Sequence, residues 1–290
     1  MTSWSSWSDG GPLRARRLER RDREAALARL AGHARDDLFL LELVAALGRA
    51  PAPGEARAEL VGAWRGDALA GVVALRPSVL LDAHMDDAAL DALLPHLERV
   101  ETGLIKSPEA AVARLWRRLA ARGRHAFVDR RETACALEPR GACLIPPPPE
   151  VRVRPASDDD LPALVHAARA SLREEGRPDP FEGDPDGFRR WVRGRVPRAT
   201  LVEVSGRVAF VGYADVQRRE GWLLQGVYTW PELRRRGLAA VGVSALCREA
   251  FEAGAQHAQL AVVDGNAPAE RLYAKLGFQP FARLRTILFG

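Results

Sequence analysis

The chain has 290 residues, 47% hydrophobic and 28% charged, a balance that supplies a sizeable core and excludes wholesale disorder. Its formal net charge of +5 is carried almost wholly by arginine, yet acidic residues are interspersed and no basic run with interleaved aromatics marks a nucleic-acid surface, so nucleic acid is not the expected partner. The cysteines, Cys135, Cys143 and Cys247, form no C-x-x-C pair, which argues against a disulfide framework or a zinc site and fits a reducing cytoplasm.

Residues 1–11 are rich in Ser and Trp and lack a basic start before an apolar core, so they read as a frayed terminus rather than a signal peptide. No apolar stretch is long enough to span a bilayer, and a cytoplasmic monomer or homodimer is expected. Two domains are the natural division at this length. Residues 13–31 and 36–47 carry helical patterns. Residues 59–64 and 69–75 form a hairpin about Arg65-Gly66-Asp67-Ala68, and 79–81 add a strand. A helix at 87–97, a strand at 100–105, a helix from Pro108 to Ala121 and two short strands, 125–129 and 133–137, complete the first half. The run Pro146-Pro147-Pro148-Pro149 continues neither helix nor sheet. The expected division is therefore a domain of residues 1–145, a linker at 146–150 and a domain of 151–290.

In the second half, 151–154 is a strand and Ser157 caps a helix whose first turn holds Asp158, Asp159 and Asp160. Strands at 200–204 and 208–216 join through Ser205-Gly206-Arg207, and a third runs from 222 to 229. A helix after Gly237, a strand at 258–263, a helix at 268–276 and a terminal strand pair follow. The halves share the order hairpin, strand, helix, strand, helix, two strands, which points to a duplicated α/β fold with a mixed sheet.

The stretch Val227-Tyr228-Thr229-Trp230-Pro231-Glu232-Leu233-Arg234-Arg235-Arg236-Gly237-Leu238-Ala239-Ala240 lies between a strand and a helix, where the first turn exposes unpaired N–H groups and the positive end of the dipole. Such a turn holds a pyrophosphate: Gly237 lets the backbone approach and the three arginines add charge-assisted hydrogen bonds. A solvated basic turn before an ordinary helix has the same sequence. One strand later comes Asp264-Gly265-Asn266-Ala267-Pro268-Ala269-Glu270-Arg271-Leu272-Tyr273-Ala274-Lys275-Leu276-Gly277-Phe278.

Together these segments resemble the GNAT acyltransferase superfamily, from about residue 151 to 289. Arg234, Gly237 and Ala239 match its R/Q-x-x-G-x-G/A signature, and Asn266 with the Leu272-Tyr273 to Gly277-Phe278 run is similar to its N-x-x-A-x-x-L-Y-x-x-x-G-F segment. The resemblance implies an acyl-CoA N-acyltransferase fold, two such domains in tandem with the first degenerate, and acetyl-CoA as co-substrate. It places the backbone of Val227, Tyr228 and Thr229 along the acyl-pantetheine and the N–H groups of Arg235, Arg236, Gly237, Leu238, Ala239 and Ala240 around the pyrophosphate. It also implies Asn266 on the pantetheine arm and Tyr273 as general acid.

Thioester aminolysis suits these groups. Charge develops on the carbonyl oxygen, where a strand N–H stabilises it, and a phenol assists the departing thiolate. A base is less evident, because the strand 222–229 holds Gln225 and no carboxylate. Glu203 is the candidate chosen, with Asp215, Glu220 and the carboxylate of Gly290 also open, and a neutral amine needs none of them. Trp230 shapes the cleft mouth or covers the strand end. Residues 176–197, with Phe181, Glu182, Asp184, Asp186 and Trp191, fall where the resemblance places an acceptor loop, and their acidic and aromatic mix suits a cationic amine as well as a solvated loop.

The first half has Leu81-Asp82-Ala83-His84-Met85-Asp86-Asp87 where the cradle would stand. Three carboxylates there repel pyrophosphate; capping explains them better than a metal, and no metal site is expected. The expected function is transfer of an acetyl group from acetyl-CoA to an amine of a small molecule or peptide in a ternary complex. A non-catalytic acyl-CoA-binding regulator is the alternative, motivated by the missing base, and an arginine-rich nucleic-acid binder is a third reading.

Overall fold

The computed structural model describes residues 11–51, 54 and 56–290. The segment read as a frayed terminus lies, through residue 10, outside the described residues. The chain folds into two compact units, one of residues up to 49, 58–129 and 285–290, the other of 50–57 and 130–284.

The first unit holds β1 (Arg14–Arg17), α1 (Arg23–Ala31), α2 (Leu38–Ala45), β2 (Glu59–Arg65), β3 (Ala68–Arg76), β4 (Leu80–Leu81), α3 (Asp87–Leu97), β5 (Gly103–Pro108) and α4 (Glu109–Ala120). Its antiparallel sheet runs β1-β2-β3-β4. Alternation along β2 sends Leu60 to a core with Leu30, Leu41 and Val44, and Val61 to a core with Leu90, Leu93 and Ile105. Both faces of the sheet are thus covered by helices. The expected helix at 13–31 is in fact a strand, a turn and a shorter helix, because Arg14 to Arg17 pair with Trp64 to Val61 and the Arg16–Asp22 ion pair closes the turn. Pairing as the edge strand beside β2 overrides local propensity here. Asp86 caps α3 by accepting from Ala89 N–H at 2.7 Å, Asp82 pairs with Arg29 Nε at 2.5 Å and Asp87 with Arg118 Nη2 at 3.2 Å, so all three carboxylates at the expected cradle position have partners within this unit.

The second unit adds β6 (Ala126–Leu137), β7 (Val151–Pro155), α5 (Leu161–Glu174), α6 (Pro185–Arg193), β8 (Ala199–Val204), β9 (Arg207–Gln217), β10 (Trp222–Thr229), α7 (Leu238–Glu252), β11 (Ala258–Val263), α8 (Ala267–Leu276) and β12 (Gln279–Phe289). Its strand order is β12-β6-β11-β10-β9-β8-β7. One face packs on α7 and α8 through Leu224, Val243, Leu246, Leu260 and Leu276, the other on α5 and α6 through Leu164, Phe188, Leu201 and Tyr213.

The two short strands expected at 125–129 and 133–137 form one, β6, whose residues Leu137 to Glu132 pair antiparallel with Ala258 to Val263 of β11. The expected terminal pair is likewise one strand, β12. The unit boundary accordingly falls at Asp129/Arg130 within β6, and the proline run lies inside the second unit. Flanking amides hold that run: Cys143 N–H donates to the Leu276 carbonyl at 3.0 Å and Ile145 N–H to Ser244 Oγ at 3.0 Å. Pairing across more than a hundred residues leaves no local signal.

Candidate active site where two strands part

β10 and β11 run parallel, yet only Trp222↔Ala258 and Leu223↔Gln259 are in register. Beyond them β10 stays with β9 through Thr229↔Phe210, and β11 stays with β6 through Val263↔Glu132. A wedge therefore opens toward the C-terminal ends of both strands, the position at which sheets of this class take their ligands. A bulge sharpens it: between Gln225↔Tyr213 and Tyr228↔Val211, β10 carries one residue more than β9. Gly226 sits in that bulge at φ +58°, and a Cβ there would meet the Tyr213 ring at 2.8 Å.

The loop after β10 ends at Gly237, whose φ of +78° places it in the left-handed region as N-cap of α7. No side chain caps this helix. The six successive N–H groups from Arg235 to Ala240 make no hydrogen bond among the described residues; the first to do so is Val241, which donates to the Gly237 carbonyl at 3.1 Å. Arg235 is also left-handed, at φ 62°, so the chain enters α7 through two positive-φ residues, at a helix N-terminus whose amides are left without backbone partners. The side chains of Arg235 and Arg236 are exposed and without a partner among the described residues. Arg234 differs from them. Its Nε donates to the Thr229 carbonyl at 2.9 Å and its Nη2 to both oxygens of Glu174 at 2.7 and 2.8 Å. It thus ties the loop to α5, while its two neighbours stay exposed.

Asn266 caps α8: its Oδ1 accepts from Ala269 N–H at 3.3 Å, which leaves the amide NH2 as its remaining donor. Seven residues on, Tyr273 is buried in the α7–α8 core, edge-on to Phe278 with centroids 5.6 Å apart. Burial, with Cys135 and Cys247 nearby, holds its phenol above the ordinary range. Such a phenol stays protonated at any working pH, but complete transfer of its proton to an ordinary thiolate runs uphill.

The candidate bases are all engaged elsewhere. Glu203, the chosen one, lies on β8, two strands from the wedge, roughly 10 Å at ordinary strand spacing. Its Oε1 accepts from Arg154 at 2.5 and 2.9 Å, in a network with Asp160 whose carboxyl is lowered to about 2, first by that same arginine. Glu203, the expected base, is thus held by Arg154 and lies away from the wedge. Asp215 is paired with Arg195 at 2.5 Å, and Glu220 with Arg218 at 2.8 Å, which lowers its pKa. Gly290 exchanges backbone hydrogen bonds with His125 in the first unit. In the expected acceptor loop, Phe181 and Trp191 pack against Phe188, and Asp184 caps α6 by accepting from Gly187 N–H at 2.7 Å. Those residues build the loop.

The sequence reading missed a cavity of about 550 Å³ on the α5 face beside Tyr228 and Trp230. Nothing local marks it, because its walls come from α5, the start of β9 and the loop after β10. The close approach of α7 to the sheet was missed as well: a Cβ at Gly242 would overlap the Phe210 ring.

Residues 162–278 match the acetyltransferase (GNAT) family. No curated protein matches the chain. Among solved structures, it is similar to a Drosophila protein at 17% identity and TM-score 0.70, covering 94% of this chain and 98% of that one. A GCN5-related N-acetyltransferase from Sphaerobacter thermophilus matches at 17% identity and TM-score 0.60, with 95% of each chain covered. A tandem GNAT protein from the clavulanic acid biosynthesis pathway matches at 16% identity and TM-score 0.57 over 95% of this chain and 98% of that one. Identities this low carry the fold alone, a mixed α/β fold shared with these structures.

Proposed function

We propose that this chain, which carries a GNAT acetyltransferase-family domain across residues 162–278, transfers an acetyl group from acetyl-CoA to a primary amine in a ternary complex. The observation that carries the reading is the junction of two features: strands that separate after Leu223 and Gln259, and unpaired amides from Arg235 to Ala240 at the mouth of the separation. A diphosphate fits the amides, and a thioester arm fits a gap lined by strand backbone.

In this reading Arg235 and Arg236 hold the diphosphate with the loop amides, and the Asn266 amide NH2 orients the arm. The bulge at Gly226–Val227 leaves β10 backbone N–H groups to meet the thioester oxygen as the amine nitrogen adds to carbon. The carbon–sulfur bond then breaks, and the Tyr273 hydroxyl stabilises the departing thiolate by hydrogen bonding. The attacking amine enters as its free base, since Glu203, Asp215 and Glu220 are each held by an arginine. Its extra proton leaves to solvent.

The test is release of free CoA on adding a panel of amines, followed against pH. The reading expects kcat/KM to rise tenfold per pH unit up to the pKa of the amine and then level off. A plateau set instead by one enzyme group near pH 6 to 7, whatever the amine, would restore a protein base and refute the free-base step.

A further inference from the structure

The cavity beside β10 lies within the size range of small-molecule sites. Its most buried lining residues are Tyr228, 5% exposed, and Ala170, 8%. One wall is aromatic, with Trp230 and His166 nearly parallel at 11° and 6.1 Å between centroids, and Tyr228 edge-on to Trp230 at 5.3 Å. Tyr228 directly follows the bulge, so the cavity adjoins the strand segment assigned above to the thioester carbonyl.

The rim carries two arginines and two glutamates, of which three are already engaged. Glu174 is taken by both its bonds to Arg234, and Glu232 faces Arg207 at 3.4 Å. Arg173 has no ion pair or hydrogen bond among the described residues. One guanidinium is thus left over, and a guanidinium recognises carboxylate with directional, bidentate hydrogen bonds.

We infer that this cavity is the acceptor subsite and that it takes an amine carrying both a carboxylate and a planar side chain, an aromatic α-amino acid in chemical class. Arg173 receives the carboxylate, Trp230 and His166 the planar group, and the amine points back past Tyr228 toward the bulge. The inference rests on the acyltransferase reading above.

It is tested by calorimetric titration of the CoA-saturated protein with L-phenylalanine, its amide and phenethylamine. The amino acid is expected to bind at least tenfold tighter than the other two. Arg173→Gln removes that preference, Trp230→Ala weakens all three, and neither change moves CoA affinity more than twofold. Equal affinities, or no heat with any of the three while CoA still binds, would overturn the assignment. Weakened CoA binding in Arg173→Gln with the preference intact would overturn it too, giving the cavity to the donor. Absence of CoA binding to the unaltered protein would defeat the acyltransferase reading itself, and this inference with it.

Discussion

Leu223 of β10 and Gln259 of β11 are the last residues that the two strands hold in register. Past that pair each strand keeps only its outer neighbour, so backbone groups that would have satisfied one another face a gap. Unpaired strand backbone is costly unless solvent or a ligand meets it, and an extended amide-bearing arm is a partner of the right form. In the proposed reading, the separated strands and the open helix end take one elongated, anion-tipped ligand.

Replacing Gly237 acts on the tip. Its φ of +78° costs a residue with a Cβ about 1–2 kcal/mol, although the space around that Cβ is open. Gly237→Ala is expected to shift the loop away from the convergent arrangement and raise the acetyl-CoA Kd about tenfold, while the circular dichroism spectrum is unchanged. Unchanged affinity would mean that the loop amides do not hold the diphosphate.

Tyr273→Phe removes one hydroxyl from a buried ring and leaves the ring packing with Phe278 in place. A fall in kcat of about 10²-fold is expected, the size of a lost oriented donor, with acetyl-CoA affinity held within twofold. Because burial raises the phenol's pKa, the unaltered enzyme should show no loss of rate by Tyr273 ionisation up to pH 10. An alkaline limb below pH 9 that vanishes in Tyr273→Phe would contradict this account.

Gly242 lets α7 lie against Phe210 at the centre of the sheet. Gly242→Ala forces the ring or the helix to move, at about 1–3 kcal/mol, the usual cost of an overpacked core. Chemical denaturation should show that loss; an unchanged midpoint would mean that the helix lies farther from the sheet.

In the first unit Asp37 is 3% exposed, with Oδ1 accepting from Ala83 N–H at 3.0 Å and Oδ2 buried without a partner. Burial, and the Asp82 and Asp36 charges, push its carboxyl up to about 8. The folded state therefore binds a proton that the unfolded chain has released, between roughly pH 4 and 8, and stability falls as pH rises through that window. Asp37→Asn keeps the acceptor without the charge. It should flatten the slope and be more stable at pH 8.5, by on the order of 2–3 kcal/mol. Parallel stability–pH curves for the two proteins would refute the assignment.

The parts of this site that were legible in the sequence are those written locally. The strand 222–229, Gly237 at the helix entrance and Asn266 at the next cap each follow from a few adjacent residues, and the structure has them as β10, the N-cap of α7 and the N-cap of α8. What was not legible depends on distant pairing. Arg154 captures Glu203 from another strand, Glu174 captures Arg234 across sixty positions, and Cys135 meets Leu260 only because β6 runs beside β11. The charge of a side chain can be read from a sequence; whether it is already spent cannot.

The most direct measurement is isothermal calorimetry of acetyl-CoA against the folded 290-residue chain, repeated with 3′-dephospho-CoA and with pantetheine. The account expects saturable binding of one molecule per chain, retained with dephospho-CoA and weakened at least a hundredfold with pantetheine, which lacks the diphosphate. Pantetheine binding as tightly as acetyl-CoA, or no heat from acetyl-CoA at all, would contradict it.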